Sequence, residues 1–346
     1  MNILPNKPPT WLSTPPENDV VIGCWGVILR NISGRKFPIK LGSAESETIF
    51  SLFEPYLLEA GWNADSFTPI EQIDPIHRLL YYERLNIPEG VVHRPMHGLL
   101  AISDDESKTV LVNWVDHINL IVRMRTAKFD EIVYELTKFI GYFDDAFEWA
   151  KSDKFGYLSS NPMQSGAGVI LGAYLHVPAT ILLGKFGRLK RELIERELTV
   201  ASIWKMGVEE ASGIINLKTR RLVGVTAEQL VAQISRAVED VVAQEIEARE
   251  KLWEKSRESV EDKILRSAGI VTYAKLVESW ELSTLLSAIR LGISLGVFPM
   301  PLSAVDSNLI LARDAHLAAR FGEELTDQQK LSMRRAQFLA ETLWFS

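Results

Sequence analysis

The hydrophobic and polar positions divide the first half of the chain into short apolar runs and one long amphipathic segment. Residues 20–29, VVIGCWGVIL, are apolar and rich in β-branched side chains, which predicts a buried strand. Three closely spaced runs at 98–102, 109–115 and 118–124 predict an antiparallel meander. Residues 129–147 place apolar side chains at helical spacing, with an aromatic stripe that is typical of a core-facing helix.

Two further helices are predicted between these strands. Residues 45–60 carry an apolar face at helical spacing. Residues 62–96 are mixed in pattern and contain a short predicted helix at 76–84, with Pro88 and Pro95 beyond it.

The second half changes from mixed structure to helix. Residues 179–197 predict a helix, and 198–204 and 213–217 predict two more strands. Thr226 and Gln229 form a capping-box pair that opens the next helix. Beyond this point the sequence has almost no strand signal.

The C-terminal part is predicted to be a separate all-α domain. Residues 245–261 are dense in alternating charge, which is typical of a connecting helix, and the domain boundary is placed there. Helices follow at 260–295, 303–321 and 326–343. Thr326 and Gln329 are the predicted cap of the last one. We therefore expect an α+β fold, an antiparallel sheet flanked by helices, joined to a helical domain of residues 251–346.

Composition fits a globular protein with a sizeable core, because 47% of the 346 residues are hydrophobic and 24% are charged. The net charge of −7 argues against a nucleic-acid-binding surface, which needs clustered Lys and Arg. Residues 1–18 are rich in proline and predict an extended arm before a domain of residues 19–250.

A cytoplasmic location is expected. The chain shows no signal peptide and no apolar run of membrane-spanning length, so no membrane association is predicted. Cys24 is the single cysteine, which excludes an intrachain disulfide and fits a reducing compartment. Its apolar surroundings predict a buried, unreactive thiol.

Residues 156–178, GYLSSNPMQSGAGVILGAYLHVP, form a glycine-rich stretch between predicted helices. Backbone N–H groups of such a turn can bind phosphate, but a tight turn without room for side chains is the favoured interpretation. His117 and His176 have no second ligand at metal spacing, so they are interpreted as structural histidines. We expect no metal site.

Four fragments together resemble the guanidino phosphotransferases, and among them the bacterial protein-arginine kinases. The fragments are VVIGCWGVILRN, VNWVDHIN, GYLSSNPMQSGAGVI and TVASIWKMGVEEA. They follow the family's order at nearly its spacing over residues 18–260, and AHLAARFGEELT resembles a C-terminal segment of the bacterial kinases. The resemblance implies a guanidino kinase/glutamine synthetase-like catalytic domain that transfers phosphate from ATP to a guanidinium.

The residues that would perform this chemistry are replaced. The family's phosphate-binding arginines fall on uncharged residues here, namely Trp25, Val27, Asn119, Ile170 and Ala201. Its catalytic glutamates fall on Trp114, Val115 and Met206. The third basic position of the opening strand is retained as Arg30. Positions that a strand or turn needs are also retained: His117, Gly166, Gly168 and His176. Each lost hydrogen bond to a charged group removes roughly 1.5–3 kcal/mol of nucleotide-binding free energy.

The leading hypothesis is a pseudokinase that regulates or scaffolds an active kinase or quality-control machinery, without a cofactor. The apolar replacements suggest a pocket that has been filled. An alternative is an active protein-arginine kinase that uses ATP and Mg²⁺ through relocated ligands; Arg123, Arg125, Glu209 and Glu210 are the nearest spare charges. A third possibility is a small-molecule binding module in the remodelled cleft.

The C-terminal region raises two further expectations. The bacterial kinases carry a phosphoarginine-receptor motif, whose closest match here includes Lys330, Arg334 and Arg335 but lacks the motif's aspartate. A solvated helix face is the favoured interpretation. The resemblance also implies a dimer, and the apolar residues 264–300 predict self-association or a hetero-oligomer.

Overall fold

The computed structural model describes residues 6–93, 97–204 and 212–345. The strands in this part of the chain are β1 (Val21–Arg30), β2 (Thr68–Pro69), β3 (Leu99–Ile102), β4 (Lys108–Val112), β5 (Ile118–Met124), β6 (Lys151–Ser152), β7 (Gly156–Tyr157), β8 (Val169–His176), β9 (Leu198–Ser202) and β10 (Ile214–Thr219). Eight of them form one antiparallel sheet in the order β2-β3-β4-β5-β1-β8-β10-β9, and β6 pairs with β7.

The helices are α1 (Thr10–Ser13), α2 (Ser43–Glu59), α3 (Pro75–Glu83), α4 (Glu89–His93), α5 (Phe129–Asp144), α6 (Pro178–Leu182), α7 (Phe186–Glu195), α8 (Ala227–Tyr273), α9 (Ser279–Ser294), α10 (Leu302–Leu311), α11 (Asp314–Phe321) and α12 (Gln328–Thr342). None of the helices in the described ranges is long and apolar enough to cross a membrane. The predicted α+β architecture, an antiparallel sheet with flanking helices followed by a helical region, is confirmed.

The two faces of the central sheet have different environments, because side chains alternate along each strand. On β1, Cys24 and Ile28 are fully buried on the side that packs against α5. Gly26 brings α5 close, since an added Cβ would lie 2.5 Å from Ile132. Trp25 and Val27 point to the opposite face and remain half-buried. That second face carries the cleft described below.

The helical region shares its core with one side of the sheet. Ile22, Tyr174 and Ile214 belong to the same buried cluster as Leu286 and Ile289 of α9. Many apolar side chains between 264 and 300 therefore pack inside the chain, which weakens the reason given for self-association. Others of this segment remain exposed, namely Leu265, Ile270, Tyr273, Leu276 and Trp280. The oligomeric state stays a prediction.

The N-terminal residues are packed, although an extended arm was expected. Trp11 and Leu12 lie in the helical turn α1 and are buried in the core of the helical region. The Leu12 carbonyl also accepts a hydrogen bond from Arg125. Burial of these two large apolar side chains holds the segment in place, which its proline content did not indicate.

Several predicted helices are divided in the structure. The segment 179–197 forms two helices separated by Gly184, whose φ of +70° ends the first of them. Predicted helix 260–295 is interrupted between α8 and α9, and predicted helix 303–321 between α10 and α11. Apolar spacing alone did not mark these breaks.

Helix caps are partly as expected. Thr226 and Gln229 form the predicted capping box at the start of α8, which is confirmed. At α12 the cap is Asp327, whose carboxylate accepts from the Lys330 N–H at 3.1 Å, and the predicted Thr326 cap is wrong.

Helix α8 contains a kink at Ser256 and runs through the predicted domain boundary at residues 250–251. The division into domains stays a prediction.

Candidate functional site

A cleft of about 380 Å³ lies on the sheet face that does not contact α5. Its floor consists of alternate residues of the central strands. Its other wall is the segment that joins α3 to α4, which contributes Leu85, Ile87 and Pro88. The cleft therefore lies between the sheet and a short connecting segment near the helical region.

All the described residues that the sequence comparison placed at replaced charged positions line this one cleft. They are Trp25, Val27, Trp114, Val115, Asn119, Ile170 and Ala201. Met206 and the spare acids Glu209 and Glu210 lie outside the described residues. Because the cleft residues are spread from position 25 to position 201, their convergence is a property of the fold and not of local sequence.

Strand register explains the convergence. Val27 on β1 is paired with Ile170 on β8, and Leu29 on β1 is paired with Asn119 on β5. The predicted strand 109–115 ends at Val112, since Asn113 has a φ of +55°. Trp114 and Val115 consequently lie in the turn between β4 and β5 at the edge of the cleft.

The cleft lining is poor in charge. Among its described residues, Lys218 is the one cation and Glu89 the one acid. A nucleoside triphosphate with Mg²⁺ needs several cationic groups around its phosphates. The described lining does not fit that ligand. In the same part of the chain, no three His, Cys, Asp or Glu side chains are close enough to hold a metal ion.

Trp25 lies at the centre of the floor without filling the cleft. Its indole N–H donates to Asn216 Oδ1 at 3.1 Å. The ring lies over Gly172, where an added Cβ would come 2.5 Å from it. The prediction that apolar replacements fill the pocket is wrong, because a cleft of about 380 Å³ remains beside the indole. The missing side chain at Gly172 leaves room for the ring.

Arg123 and Arg125, the nearest arginines that could replace the lost charges, are bound to other groups inside the protein. Arg123 is fully buried and donates to the Leu85 carbonyl at 2.6 Å and to the Asn86 carbonyl at 2.7 Å. Burial lowers the pKa of Arg123 to about 10, so it stays charged at neutral pH. Arg125 forms a buried ion pair with Asp306. Neither residue lines the cleft.

Comparison with protein families identifies the fold and the ancestry of this site. The family model for the ATP:guanido phosphotransferase C-terminal catalytic domain matches residues 50–248. The chain belongs to the ATP:guanido phosphotransferase family. The model for the protein-arginine kinase McsB C-terminal domain matches residues 257–345. The resemblance read from the sequence is confirmed.

Curated relatives carry the name protein-arginine kinase. The protein from Brevibacillus brevis is 29% identical over 333 residues, which cover 95% of this chain and 93% of the relative. The protein from Desulforamulus reducens is 28% identical over 344 residues, covering 96% and 95%. The protein from Caldanaerobacter subterraneus is 24% identical over 330 residues, covering 94% and 98%.

Solved structures of phosphotransferases of this type share the fold. Lombricine kinase has a TM-score of 0.52 at 14% identity, with 69% of this chain and 70% of that chain covered. The duplicated taurocyamine kinase of Schistosoma mansoni has a TM-score of 0.54 at 16% identity. The match covers 70% of this chain and about a third, 34%, of the duplicated one.

The retained Arg30 of this family member lies beneath the glycine turn and does not line the cleft. Its guanidinium donates to the Gly168 carbonyl at 3.0 Å and to the Leu29 carbonyl at 2.8 Å. It also stacks on the Tyr157 ring at 3.5 Å from the centroid. Burial is the largest influence and lowers the pKa of Arg30. These contacts make it a part of the turn's support.

The retained glycines have backbone conformations that other residues rarely adopt. Gly166 has a φ of +135°, and an added Cβ would lie 2.1 Å from the Leu222 carbonyl oxygen. Gly168 has a φ of +68°, and its added Cβ would meet the Arg30 guanidinium. Both positions lack space for a side chain.

Asp116 and His117 hold the turn from the other side. Asp116 accepts from Ser159 Oγ and from the Ser160 N–H, each at 2.9 Å, while burial raises its pKa. His117 Nδ1 accepts from the Ile32 N–H at 3.0 Å, so its Nε2–H donates to the Lys36 carbonyl at 3.0 Å. Burial lowers the pKa of His117 to about 4, which keeps the ring neutral.

His176 is also enclosed by protein groups. Its Nδ1 accepts from Arg290 Nη1 at 3.0 Å, and its Nε2 lies 2.9 Å from Ser287 Oγ. Burial, followed by the nearby arginines, lowers the pKa of His176 well below its usual range. The geometry makes it a structural residue at the contact between the sheet and the helical region.

The three candidate phosphoarginine-binding residues do not form one site. Lys330 and Arg334 border a surface groove of about 710 Å³ between the end of α8 and α12, and both pair with Glu323. Arg335 points away from the groove and is fully buried. It donates to the Ala312 and Val277 carbonyls and pairs with Asp314. The grouping of Arg335 with the other two is wrong, because adjacent helical positions face different directions.

Sequence reasoning missed several residues of the cleft. Tyr174, Asn216 and Gln164 line it, as does the segment 82–90 that the pattern showed only as mixed. The alternation of β10 indicates one of them. Asn216 lies between the core residues Ile215 and Leu217, so its side chain is on the face opposite to theirs. No local pattern indicated that segment 82–90 covers the sheet.

Proposed function

We propose that this chain is a catalytically inactive member of the protein-arginine kinase family that acts by binding a protein partner. The observation that carries the proposal is the convergence of uncharged side chains where the family places charged ones. Trp25, Val27 and Ile170 lie together on the cleft floor, with Asn119 beside them. With Lys218 as the one cation in the described lining, the developing charge of a phosphoryl transfer lacks the several cationic groups that stabilise it.

The rival function is an active protein-arginine kinase with relocated ligands. The names of the relatives, which match over nearly their whole length, favour it. Relocation needs basic side chains that can reach the cleft. The burial of Arg123 and Arg125 in other contacts argues against these two as substitutes.

The proposed partner is an intact protein-arginine kinase or a component of protein quality control in the cytoplasm. The preserved fold supports a role that depends on shape, because the core, turns and caps remain while the cleft charges are replaced. A homodimer or hetero-oligomer is part of this proposal.

Nucleotide binding and phosphotransfer test the loss of activity. Isothermal titration calorimetry of the full chain with ATP and Mg²⁺ is expected to show no saturable binding in the micromolar range. An arginine-rich protein substrate is expected to gain no phosphoarginine, with the Brevibacillus brevis kinase as the positive control. Micromolar ATP affinity or phosphoarginine formation would refute the proposal.

The partner is tested with an intact arginine kinase from the same genome. The activity of that kinase is measured with and without a stoichiometric amount of this chain, and light scattering reports the mass of the mixture. A change in kinase activity together with a heavier complex is expected. Separate species with unchanged activity would exclude that partner.

A further inference from the structure

Trp25 presents a fixed aromatic surface on the cleft floor. One face of its indole lies over Gly172 on the neighbouring strand. The indole N–H is bonded to Asn216 on β10, which lies beyond β8 in the sheet. These two contacts hold the orientation of the ring, while the side chain stays half-buried and lines the cleft. A preorganised ring of this kind is a stacking surface for another flat ring.

Neutral polar groups lie around the indole, together with Lys218, whose position on β10 is paired with Gly172. The Tyr174 ring stacks with it at an interplanar angle of 30°, with the centroids 6.3 Å apart. Burial raises the pKa of Tyr174 to about 12, so its hydroxyl is uncharged at neutral pH. Asn216 uses its oxygen to bind Trp25, and its amide nitrogen has no acceptor among the described residues. Asn119 and Gln164 add two more amides to the lining.

The remaining floor is apolar. Val27, Ile121 and Ile170 are half-buried side chains that face the cleft, with Leu29 and Leu111 below them. Small-molecule sites have roughly 300–1,000 Å³, mostly apolar and aromatic walls, and a few polar groups that orient the ligand. The cleft of about 380 Å³ has both the size and the composition of such a site.

We propose that the cleft binds an uncharged, planar aromatic molecule of about two fused rings, which stacks on Trp25 and accepts a hydrogen bond from the Asn216 amide. An anionic ligand would lose its hydration and find Lys218 as the one cation in the described lining. A neutral ring gains stacking and apolar burial without that loss.

The inference rests on the proposed replacement of phosphate-binding charges and names what the altered cleft accepts. The two proposals can fail separately. ATP binding would refute the inactive-kinase proposal, whereas a cleft that binds neither ATP nor a neutral aromatic would refute only this inference.

A matched pair of ligands tests the charge preference in the unaltered protein. Indole-3-acetamide and indole-3-acetate share one ring and differ by one charge. Calorimetry with the full chain is expected to give saturable binding of the amide that is at least about tenfold tighter than that of the carboxylate. The neutral 1-naphthamide is expected to bind as well. Failure of both neutral probes, or equal affinity for indole-3-acetate, overturns the proposal.

Two variants locate the binding. Trp25→Leu keeps an apolar side chain but removes the stacking ring, and is expected to weaken indole-3-acetamide binding about tenfold. Trp344→Leu is the control, because Trp344 is 73% exposed outside the cleft, and is expected to leave the affinity unchanged. Asn216→Ala is expected to weaken indole-3-acetamide binding about threefold. It locates the binding site if Trp25→Leu does not fold. Unchanged affinity in the folded cleft variants, or equal weakening in the control, overturns the proposal.

Discussion

The cleft floor and the glycine-turn support are both built from the family motifs, but they differ in the hydrogen bonding of their side chains. The support comprises Arg30, Asn31, Asp116 and His117 together with the turn at 156–168. Its polar side chains bond to other parts of the chain. The cleft floor instead presents Trp25, Val27 and Ile170, of which Trp25 alone has a polar side-chain atom, the indole nitrogen that donates to Asn216.

The difference indicates which residues the fold itself requires. A buried polar group that satisfies backbone or side-chain partners cannot be removed without leaving those partners unsatisfied. A charged group that faces an open cleft serves a ligand, and its replacement leaves the fold intact. We therefore expect substitutions in the support to lower the stability of the fold, and substitutions in the cleft to leave it nearly unchanged. Each of the following substitutions tests this expectation.

The largest effect is expected at the turn. Gly166→Ala should lower the free energy of unfolding by about 4 kcal/mol, because the Cβ would overlap the Leu222 carbonyl and the φ of +135° is strained for alanine. Gly34→Ala is the control, since Gly34 also has positive φ but no atom within 4 Å of the added Cβ. The Gly34→Ala variant should lose only about 1 kcal/mol of the free energy of unfolding, measured with urea. Equal losses would show that crowding at Gly166 is unimportant.

Removal of the central carboxylate is expected to have the next largest effect. Asp116→Ala leaves Asn31, Ser159 and the Ser160 N–H without their acceptor, at a cost of about 3 kcal/mol. Asp153 is exposed on the adjacent hairpin, so Asp153→Ala is the control. It should lower the free energy of unfolding by less than about 0.5 kcal/mol. Denaturant midpoints measure both. A small loss at Asp116 would mean that water replaces its contacts.

The support should also weaken in acid. The pKa of His117 is about 4 in the folded chain and 6.5 as its ordinary value, so the unfolded chain binds more protons between these pH values. Stability is therefore lost as the pH falls through 6.5 toward 4. From pH 7 to pH 5 this residue should contribute a loss of about 2 kcal/mol.

His117→Asn separates this contribution from the other groups. His176 and His316 have lowered pKa values and act in the same direction, whereas the raised pKa of Asp116 acts in the opposite one. The difference between the pH slopes of the original chain and the variant isolates residue 117. Parallel slopes would contradict the assignment.

The smallest effect is expected in the cleft. Val27→Thr should change stability by less than about 1 kcal/mol, because Val27 is half-buried at an open surface. Its neighbour on the same strand, Ile28, is fully buried against the α5 side, and Ile28→Thr should cost about 2 kcal/mol. Thermal unfolding compares the two. A larger loss at Val27 would mean that the cleft residues also hold the fold.

Local sequence pattern was sufficient for most elements and for the special backbone positions. The apolar spacing of α5, the apolar β-branched run of β1 and the Thr226–Gln229 cap are encoded by neighbouring residues, and the structure has all three. Pattern was insufficient at the break between α8 and α9. Both sides of that break are apolar, and the chain turns there because the helices pack on each other.

The candidate site divides in the same way. The motifs were sufficient to name Trp25, Asn119 and Ile170 as related positions, because family order carries information about distant contacts. They were insufficient to show that Arg335 is buried in ion pairs while Arg334, one residue earlier, lies at the surface. The direction of each side chain depends on which helix lies against α12.

The sequence by itself determined the fold class and the family, because these depend on residue type, spacing and order. It also predicted which positions have lost the family's charges. Only the tertiary structure decided that the altered cleft remains open. That outcome depends on Gly172, which leaves room for the Trp25 indole to lie over β8 and bond to Asn216 on β10. Contacts between residues so distant along the chain follow from strand register and packing, which no local pattern specifies.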